Sequence, residues 1–175
     1  VSRLKKYKNV QFALECLPAV AARVPAVKLM IAGAGDYEKT LKARCRALNL
    51  ENRVFFSGYV NEEMKRDILS RAHAIVNPSV KEGWGITNIE AALCGTVSLS
   101  SNVPGLRDSV RDHVSGLLYD PGNRADFTDK AVRLLTDAPF RQALEKEALA
   151  FGRQYAWETV AGKMARCVEA ALSNP

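Results

Sequence analysis

The sequence predicts an α/β fold, a Rossmann-like doubly wound sheet of parallel strands with helices on both faces. Three observations support this prediction. Short apolar runs alternate along the chain with longer segments of helical periodicity, turn-forming residues end the apolar runs, and no linker or internal repeat interrupts the 175 residues. Alternation of this kind is typical of parallel strands joined by right-handed crossovers. We therefore expect residues 1–175 to form a single domain with its own hydrophobic core.

The predicted strands are short continuous apolar runs, as expected where helices cover both faces of a sheet. In chain order they are 27–32, 54–57, 74–76, 96–100 and 116–119. Gly33 follows the first of these runs, Gly58 the second and Pro78 the third, and such residues favour turns. The first four residues have the character of a strand that ends in a loop, which predicts that the chain is part of a longer one.

The segments between these runs carry apolar residues at spacings of three and four, which predicts helices. In chain order the predicted helices are 7–24, 37–48, 62–70, 86–94, 127–135, 140–155 and 157–172. Pro18 interrupts the pattern of the first helix. Asn61 is a suitable N-cap for the third, and Asn123 with Asp126 marks the start of the fifth.

Basic residues outnumber acidic ones, and the excess is concentrated at the beginning of the chain. Lys and Arg number 25 against 19 Asp and Glu, giving a formal net charge of +6, and Arg3, Lys5, Lys6 and Lys8 all lie near the start. The aromatic residues are scattered and no nucleic-acid-binding motif is present, so nucleic acid is not expected as a partner. A local phosphate site accounts for the basic cluster better than a general basic surface does.

No apolar run approaches the roughly 20 residues that a transmembrane helix needs, and no signal peptide is evident. These features favour a cytoplasmic location, while peripheral membrane association of a longer enzyme stays open. The chain has four cysteines, Cys16, Cys45, Cys94 and Cys167. None lies at metal-ligand spacing, so we expect reduced, buried thiols and no metal site.

The segment 82–96 is the strongest indication of a binding site. Glu82 precedes two glycines, Gly83 and Gly85, and seven residues separate it from Glu90. Glycine lets the backbone approach a ligand closely, and a helix predicted from Ile86 would direct unpaired N–H groups at a phosphate. Carboxylates accept hydrogen bonds from paired hydroxyls, so sugars are natural ligands for the two glutamates. An ordinary strand–glycine loop–helix turn with two surface glutamates is the simpler structural alternative.

Four loops are expected to meet at one edge of the sheet, because ligands of such folds bind beyond the carboxyl ends of the strands. These loops are the basic cluster, the Gly33-Ala34-Gly35 turn, the Gly58-Tyr59 turn and the Glu82 loop. The 33–35 turn lacks the third glycine of a dinucleotide fingerprint, and Gly95-Thr96 lacks a P-loop before it. A nicotinamide cofactor and P-loop nucleotidase chemistry are therefore not indicated.

An ordered set of motifs, running almost from end to end, resembles the C-terminal domain of the group 1 (family 4) retaining glycosyltransferases. The matching pieces are Ser2-Arg3-Leu4 with Lys8-Asn9, Gly33-Ala34-Gly35-Asp36, the run from Val54 to Val60, Pro78-Ser79, Glu82-Gly83-Trp84-Gly85 with Glu90-Ala91, Cys94-Gly95-Thr96 and Pro104-Gly105. Glu82 and Glu90 stand in the places of the E-x7-E motif of that family.

This resemblance implies the C-terminal half of a GT-B architecture, a domain that binds a nucleotide diphosphate sugar and works with an N-terminal acceptor domain missing from this chain. It implies a retaining hexosyltransferase that needs neither metal nor cofactor. By resemblance, Glu82 is the catalytic residue and contacts the donor sugar together with Gly83 and Trp84, and Glu90 binds the ribose. The implied diphosphate ligands are Arg3, Lys8, Gly85, Ile86 and Thr87, and the base lies near Gly58, Tyr59 and Val60.

Two departures qualify this resemblance. Ser2 and Asn9 stand where the family usually has glycine, which predicts a less flexible loop beside the diphosphate. Without the acceptor domain, the chain alone is expected to bind donor but to transfer sugar poorly or not at all. The alternatives that stay open are a non-catalytic nucleotide-binding module, which would not need Glu82, and a GT-B relative such as a nucleotide-sugar epimerase. A phosphorylase is disfavoured, because the sequence shows no pyridoxal lysine site.

Overall fold

Five parallel strands form two separate sheets in the computed structural model, which describes residues 1–173. The strands are β1 (Leu29–Ala32), β2 (Val54–Gly58), β3 (Ala74–Asn77), β4 (Val97–Ser101) and β5 (Gly116–Tyr119). β1 pairs with β2, while β4 lies between β3 and β5, and every pairing is parallel. The predicted α/β fold with parallel strands is therefore confirmed.

Helices alternate with these strands, as the sequence predicts. They are α1 (Val10–Arg23), α2 (Glu38–Ala47), α3 (Glu62–Arg71), α4 (Ile86–Leu93), α5 (Leu106–Ser109), α6 (Arg124–Thr136), α7 (Ala138–Arg153) and α8 (Trp157–Ser173), with a short 3₁₀ turn at Lys6–Lys8 before α1. Pro18 lies within α1, on its exposed side. Helix α1 begins three residues later than predicted, because Asn9 adopts a left-handed conformation, with φ of 55°, between the 3₁₀ turn and α1.

Side-chain caps fix the starts of two helices that the sequence marks. The Asn61 side chain accepts a hydrogen bond from the Met64 amide at 2.8 Å at the start of α3. The Asn123 side chain accepts one from the Asp126 amide at 3.0 Å at the start of α6. Each bond satisfies an N–H group that would otherwise lack a partner in the first turn, so both predicted caps are confirmed.

Helix α1 joins the two sheets because it contributes side chains to two core clusters. Phe12 packs in the cluster formed with β4, β5 and α6, where its ring stacks on Tyr119 at a centroid distance of 5.5 Å and meets the edge of Phe127. Leu14 and Leu17 pack in the second cluster, formed with β1, β2 and α2. Burial of such large apolar side chains supplies much of the free energy that holds the two sheets together.

The beginning of the chain lies beside the end of β1. The Ser2 amide donates to the Ala32 carbonyl at 3.0 Å and the Leu4 amide donates to the Ala34 carbonyl at 2.9 Å, so residues 2–4 run parallel to residues 32–34. The basic cluster therefore lies at the carboxyl ends of the strands, where the predicted site is expected. A separate feature of the fold is an apolar groove of about 600 Å³ between β1 and β3, with Met30 and Ile75 among its lining residues.

The last helix packs differently from the others. α8 has no buried residue along its described length, and Trp157, Met164 and Leu172 are each at least 65% exposed. Over residues 1–173, no helix combines the length and the apolar character that crossing a membrane requires.

Candidate functional site

The two motif glutamates lie on either side of a glycine that begins a helix. Glu82 is in the loop that follows β3, and Glu90 is the fifth residue of α4, which starts at Ile86 as predicted. Gly85 caps this helix with a left-handed backbone, φ 81°. A Cβ atom at this position would lie 2.6 Å from a Leu106 methyl and 2.8 Å from the Ser109 hydroxyl, so only glycine fits here without rearrangement.

The start of α4 can receive an anion. No side chain of the described residues caps it, and its first turn contains no acidic residue. Unpaired amides and the helix dipole give such a terminus partial positive charge. Ile86 is exposed and Thr87 is partly exposed, so a ligand can reach this turn.

A buried polar network holds α4 against the sheet. The Asn88 side chain is only 1% exposed, donates to the Ser109 hydroxyl at 3.0 Å and accepts from the Ser100 hydroxyl at 3.3 Å. The Asn77 amide nitrogen lies 3.5 Å from the Asn88 oxygen, and Ser79 donates to Asn77 at 2.9 Å. Buried polar groups with several partners rigidify their surroundings, so this network fixes the helix terminus relative to β3 and β4. Its only sign in the sequence is a polar residue on an otherwise apolar helix face.

Lys8 and Glu82 form a well-shielded ion pair. The Lys8 ammonium donates to both Glu82 carboxylate oxygens, at 2.8 and 2.7 Å, and the two side chains are 13% and 16% exposed. A backbone hydrogen bond from Val80 to the Tyr7 carbonyl, 3.0 Å long, joins the same two segments. The basic start of the chain and the glutamate loop, 74 residues apart in sequence, therefore lie side by side.

The backbone conformation of Asn9 explains why asparagine can replace glycine after Lys8. Its backbone is left-handed, with φ of 55° and ψ of 30°, and asparagine adopts this conformation more readily than most other residues do. The turn after Lys8 therefore takes the kind of geometry for which glycine is usually chosen. Arg3, the other predicted phosphate ligand, is exposed at the same end of the chain.

A second lysine binds the second glutamate. The Lys65 ammonium, on α3, donates to Glu90 at 2.8 Å and also contacts Glu62 at 2.8 Å. Burial lowers the pKa of Lys65, but hydrogen bonds to Glu62 and Glu90 outweigh it and leave the pKa above the usual value. The sequence did not mark Lys65 as a site residue, because its spacing to Glu62 is that of an ordinary helix-surface pair.

The glycines at 33 and 35 lie closely against the first residues of the chain. A Cβ on Gly33 would lie 1.8 Å from the Ser2 carbonyl oxygen, and one on Gly35 would lie 2.2 Å from that of Leu4. These glycines let the first residues of the chain lie directly against the turn after β1. Asp36, in the same turn, pairs with Lys5 at 2.8 Å, and this hydrogen bond holds the pKa of its carboxyl below the usual value.

The residues predicted near the base lie at the end of β2. The Gly58 carbonyl accepts from the Gly33 amide at 2.7 Å, which places this turn beside the end of β1. Tyr59 is 82% exposed and Val60 is partly buried. Within residues 1–173, no hydrogen bond links them to Glu82 or Glu90, so these residues form a separate part of the same edge.

The Trp84 ring packs against the protein. It meets the Tyr155 ring edge-on at a centroid distance of 4.9 Å, beyond the end of α7. Gly83 beside it is exposed, and a Cβ there would meet nothing within 4 Å. Gly105, which the motif pattern includes but assigns no role, lets the backbone approach closely, since a Cβ there would lie 2.3 Å from the Glu82 carbonyl oxygen.

The four cysteines differ in their burial. Cys16 and Cys45 are buried as predicted, and burial raises the pKa of the Cys16 thiol to about 11. The prediction of buried thiols is wrong for Cys167, which is exposed because α8 packs against no other described element closely enough to bury it, and Cys94 is partly buried. Among the described residues, no cluster of three His, Cys, Asp or Glu side chains could hold a metal ion.

Sequence comparisons agree on one family. The model of group 1 glycosyl transferases matches residues 1–151. An uncharacterized glycosyltransferase of Methanocaldococcus jannaschii is 30% identical over 98% of this chain, and a glycogen synthase of Mycobacterium tuberculosis is 31% identical over 98%. The chain covers 44% and 42% of these two relatives, so it spans less than half of their length.

Solved structures share the fold. A sucrose-phosphate synthase from Thermosynechococcus elongatus superposes with a TM-score of 0.87 at 26% identity, over all of this chain and 45% of that one. HepE from Anabaena, in complex with UDP, superposes with a TM-score of 0.84 at 23% identity, over 97% of this chain and 47% of that one. These neighbours have the GT-B architecture with Rossmann-like domains. The chain thus belongs to the group 1 glycosyl transferase family and is its C-terminal-type domain.

Proposed function

We propose that this domain binds the nucleotide diphosphate sugar of a retaining, metal-independent hexosyltransferase. The observation that carries the proposal is the joining of three features at one edge of the sheets. The start of α4, which has no side-chain cap within residues 1–173, supplies amides. Lys8 supplies a cation, and Glu82 and Glu90 supply carboxylates. A nucleotide sugar presents the complementary groups, a diphosphate flanked by two sets of hydroxyls.

The phosphate part of the proposed site needs positive charge at the point where the leaving group forms. As the glycosidic bond breaks, the diphosphate gains negative charge, which fixed cations and N–H dipoles stabilise. The backbone amides of Gly85, Ile86 and Thr87 would supply the dipoles, while Lys8 and Arg3 would supply the cations. Lys8 has three donor hydrogens, so it can contact a phosphate while it remains bonded to Glu82.

The sugar part of the proposed site lies on the other side of Gly85. Glu82 would accept hydrogen bonds from donor-sugar hydroxyls and act as the catalytic carboxylate, with its position fixed by Lys8. Gly83 and Trp84 would contribute backbone groups, because the Trp84 ring is occupied by Tyr155. Glu90 would accept the ribose hydroxyls, and the turn at Gly58, Tyr59 and Val60, of which Tyr59 is exposed, would face the base.

The relatives support the donor class. HepE was solved in complexes with UDP and with UDP-glucose, and TarM of S. aureus was solved with UDP. A D-inositol 3-phosphate glycosyltransferase of Mycolicibacterium smegmatis is 28% identical over 93% of this chain. The transfer reaction itself would need the acceptor-binding half of a longer enzyme, so we expect the present domain alone to bind donor and to transfer little. A cytoplasmic site of action fits the availability of nucleotide sugars and remains part of the proposal.

Substitution of Glu82 in the complete enzyme tests this function. We expect Glu82→Ala to lower the transfer rate by about 10- to 100-fold, the range for a lost hydrogen bond to a charged group, while nucleoside diphosphate affinity changes little. Glu82→Gln keeps the side-chain shape but removes the charge, so it distinguishes the effect of the lost charge from the effect of lost packing. Lys81→Ala is the matched control, since Lys81 is the exposed neighbour. Unchanged transfer and unchanged donor hydrolysis in Glu82→Ala would favour a non-catalytic nucleotide-binding module.

A further inference from the structure

Lys65 stands out among the charged residues that the proposed mechanism leaves unused. Its side chain is 15% exposed, close to the 13% of Lys8, although it lies on a helix whose other charged residues face solvent. It bridges two helices, donating to Glu62 within α3 and to Glu90 on α4. Each glutamate of the motif therefore has its own lysine, provided by a different segment of the chain.

The two contacts of Lys65 are unequal. Glu62 is 82% exposed, so its interaction with the ammonium is screened by water and contributes little to stability. Glu90 is 31% exposed, and only its Oε1 atom is bonded to Lys65, at 2.8 Å. A carboxylate has about four acceptor positions, so this arrangement fixes the group and leaves the second oxygen for a ligand.

The charge of Lys65 also affects how an anion would interact with the start of α4, because Glu90 lies close to it. Glu90 lies one turn inside α4, and an anion bound at the start of that helix would be repelled by an uncompensated carboxylate. An ammonium 2.8 Å away offsets part of this charge.

We propose that Lys65 is a positioning residue for Glu90, which holds one carboxylate oxygen so that the other accepts the ribose hydroxyls of the donor nucleotide. This inference rests on the proposed function, because it assumes that Glu90 faces ribose. It predicts that Lys65 controls how strongly the protein distinguishes a ribose from a deoxyribose. A lysine with a purely structural role would leave that distinction unchanged.

The test compares ribose and deoxyribose ligands by calorimetry, using UDP, 2′-deoxy-UDP and 3′-deoxy-UDP, with the same series repeated for GDP. The wild-type protein should bind the ribonucleotide about tenfold or more tightly than at least one deoxy analogue, as expected for hydrogen bonds to a carboxylate. Lys65→Met keeps the apolar stem and should reduce this ratio to about threefold or less. Lys65→Arg should keep most of the ratio, and Glu62→Gln, which removes only the exposed partner, should keep all of it.

The affinity ratio separates failure of this inference from failure of the proposed function. If Lys65→Met is folded by its thermal midpoint and keeps the wild-type ratio, the positioning role is overturned while ribose binding by Glu90 stands. If the wild-type protein binds neither diphosphate, or Glu90→Gln keeps the full ratio, the proposed ribose site fails and this inference fails with it. Should Lys65→Met not fold, Lys65→Gln provides the same comparison with a shorter polar side chain.

Discussion

The two glutamates of the candidate site are each paired with a lysine. The Lys8 ammonium binds both oxygens of Glu82 and Lys65 binds one oxygen of Glu90, so both carboxylates are held by cations from other segments. Fixed charges need less rearrangement when a ligand arrives, which favours recognition of a charged, hydroxyl-rich molecule. The sequence indicated Lys8, Glu82 and Glu90, and the structure adds Lys65 to them.

Arg3 allows a test of the phosphate contact at the scale of one residue. It is exposed at the edge of the site, so its removal should not disturb the core. We expect Arg3→Ala to weaken UDP binding by about 1.5–3 kcal/mol, the range for a hydrogen bond to a charged group. Calorimetry measures this change, with Lys6→Ala as a control that removes an equal charge from the neighbouring turn. Equal losses in both variants would show a general field effect rather than a direct contact.

Sequence patterns indicated residues of the site where a charge cluster, a glycine or a motif spacing marked them. Asn88 and Lys65 were not found, because a buried asparagine network and a lysine bridging two helices depend on how separate helices pack. Gly105 stood within a motif without a role, and its packing against the Glu82 carbonyl, which a Cβ atom would approach to 2.3 Å, gives it one. Contacts between distant segments leave little trace in local sequence.

At the scale of elements, the start of α4 decides whether the site can exist. Its orientation depends on Gly85, whose left-handed backbone lies close to Leu106 and Ser109 on α5. The sequence predicted this helix start correctly from the glycine and the apolar spacing that follows. It did not predict α5, because Leu106–Ser109 is too short to show helical periodicity.

Glycine substitutions at two positions separate backbone strain from crowding. Gly85 and Gly122 have nearly the same φ, 81° and 80°, but nothing lies within 4 Å of a Cβ on Gly122. Gly122→Ala should cost about 1–2 kcal/mol of unfolding free energy, the penalty for a left-handed residue. Gly85→Ala should cost about 1–3 kcal/mol more, because the methyl group meets α5. Urea unfolding measures both, and equal losses would mean that the contact with α5 imposes no constraint.

At the scale of the whole molecule, the strands are parallel as predicted but lie in two sheets instead of one. The apolar runs identified each strand because buried parallel strands read as continuous hydrophobic segments. They could not show which strands are hydrogen-bonded neighbours, and the groove between β1 and β3 follows from pairing rather than from composition. The gathering of loops was predictable, because the carboxyl ends of parallel strands meet at one edge.

We propose above all that this edge of the sheets binds a nucleoside diphosphate through protein groups alone. Isothermal titration of the folded protein with UDP, GDP and ADP, at low salt, tests it most directly, first in EDTA and then with added Mg²⁺. We expect measurable binding of at least one of the three in EDTA, with an affinity that Mg²⁺ changes by about twofold or less, because Lys8, Arg3 and the start of α4 supply the compensating charge. No binding of any of them, or binding that requires Mg²⁺, would contradict it.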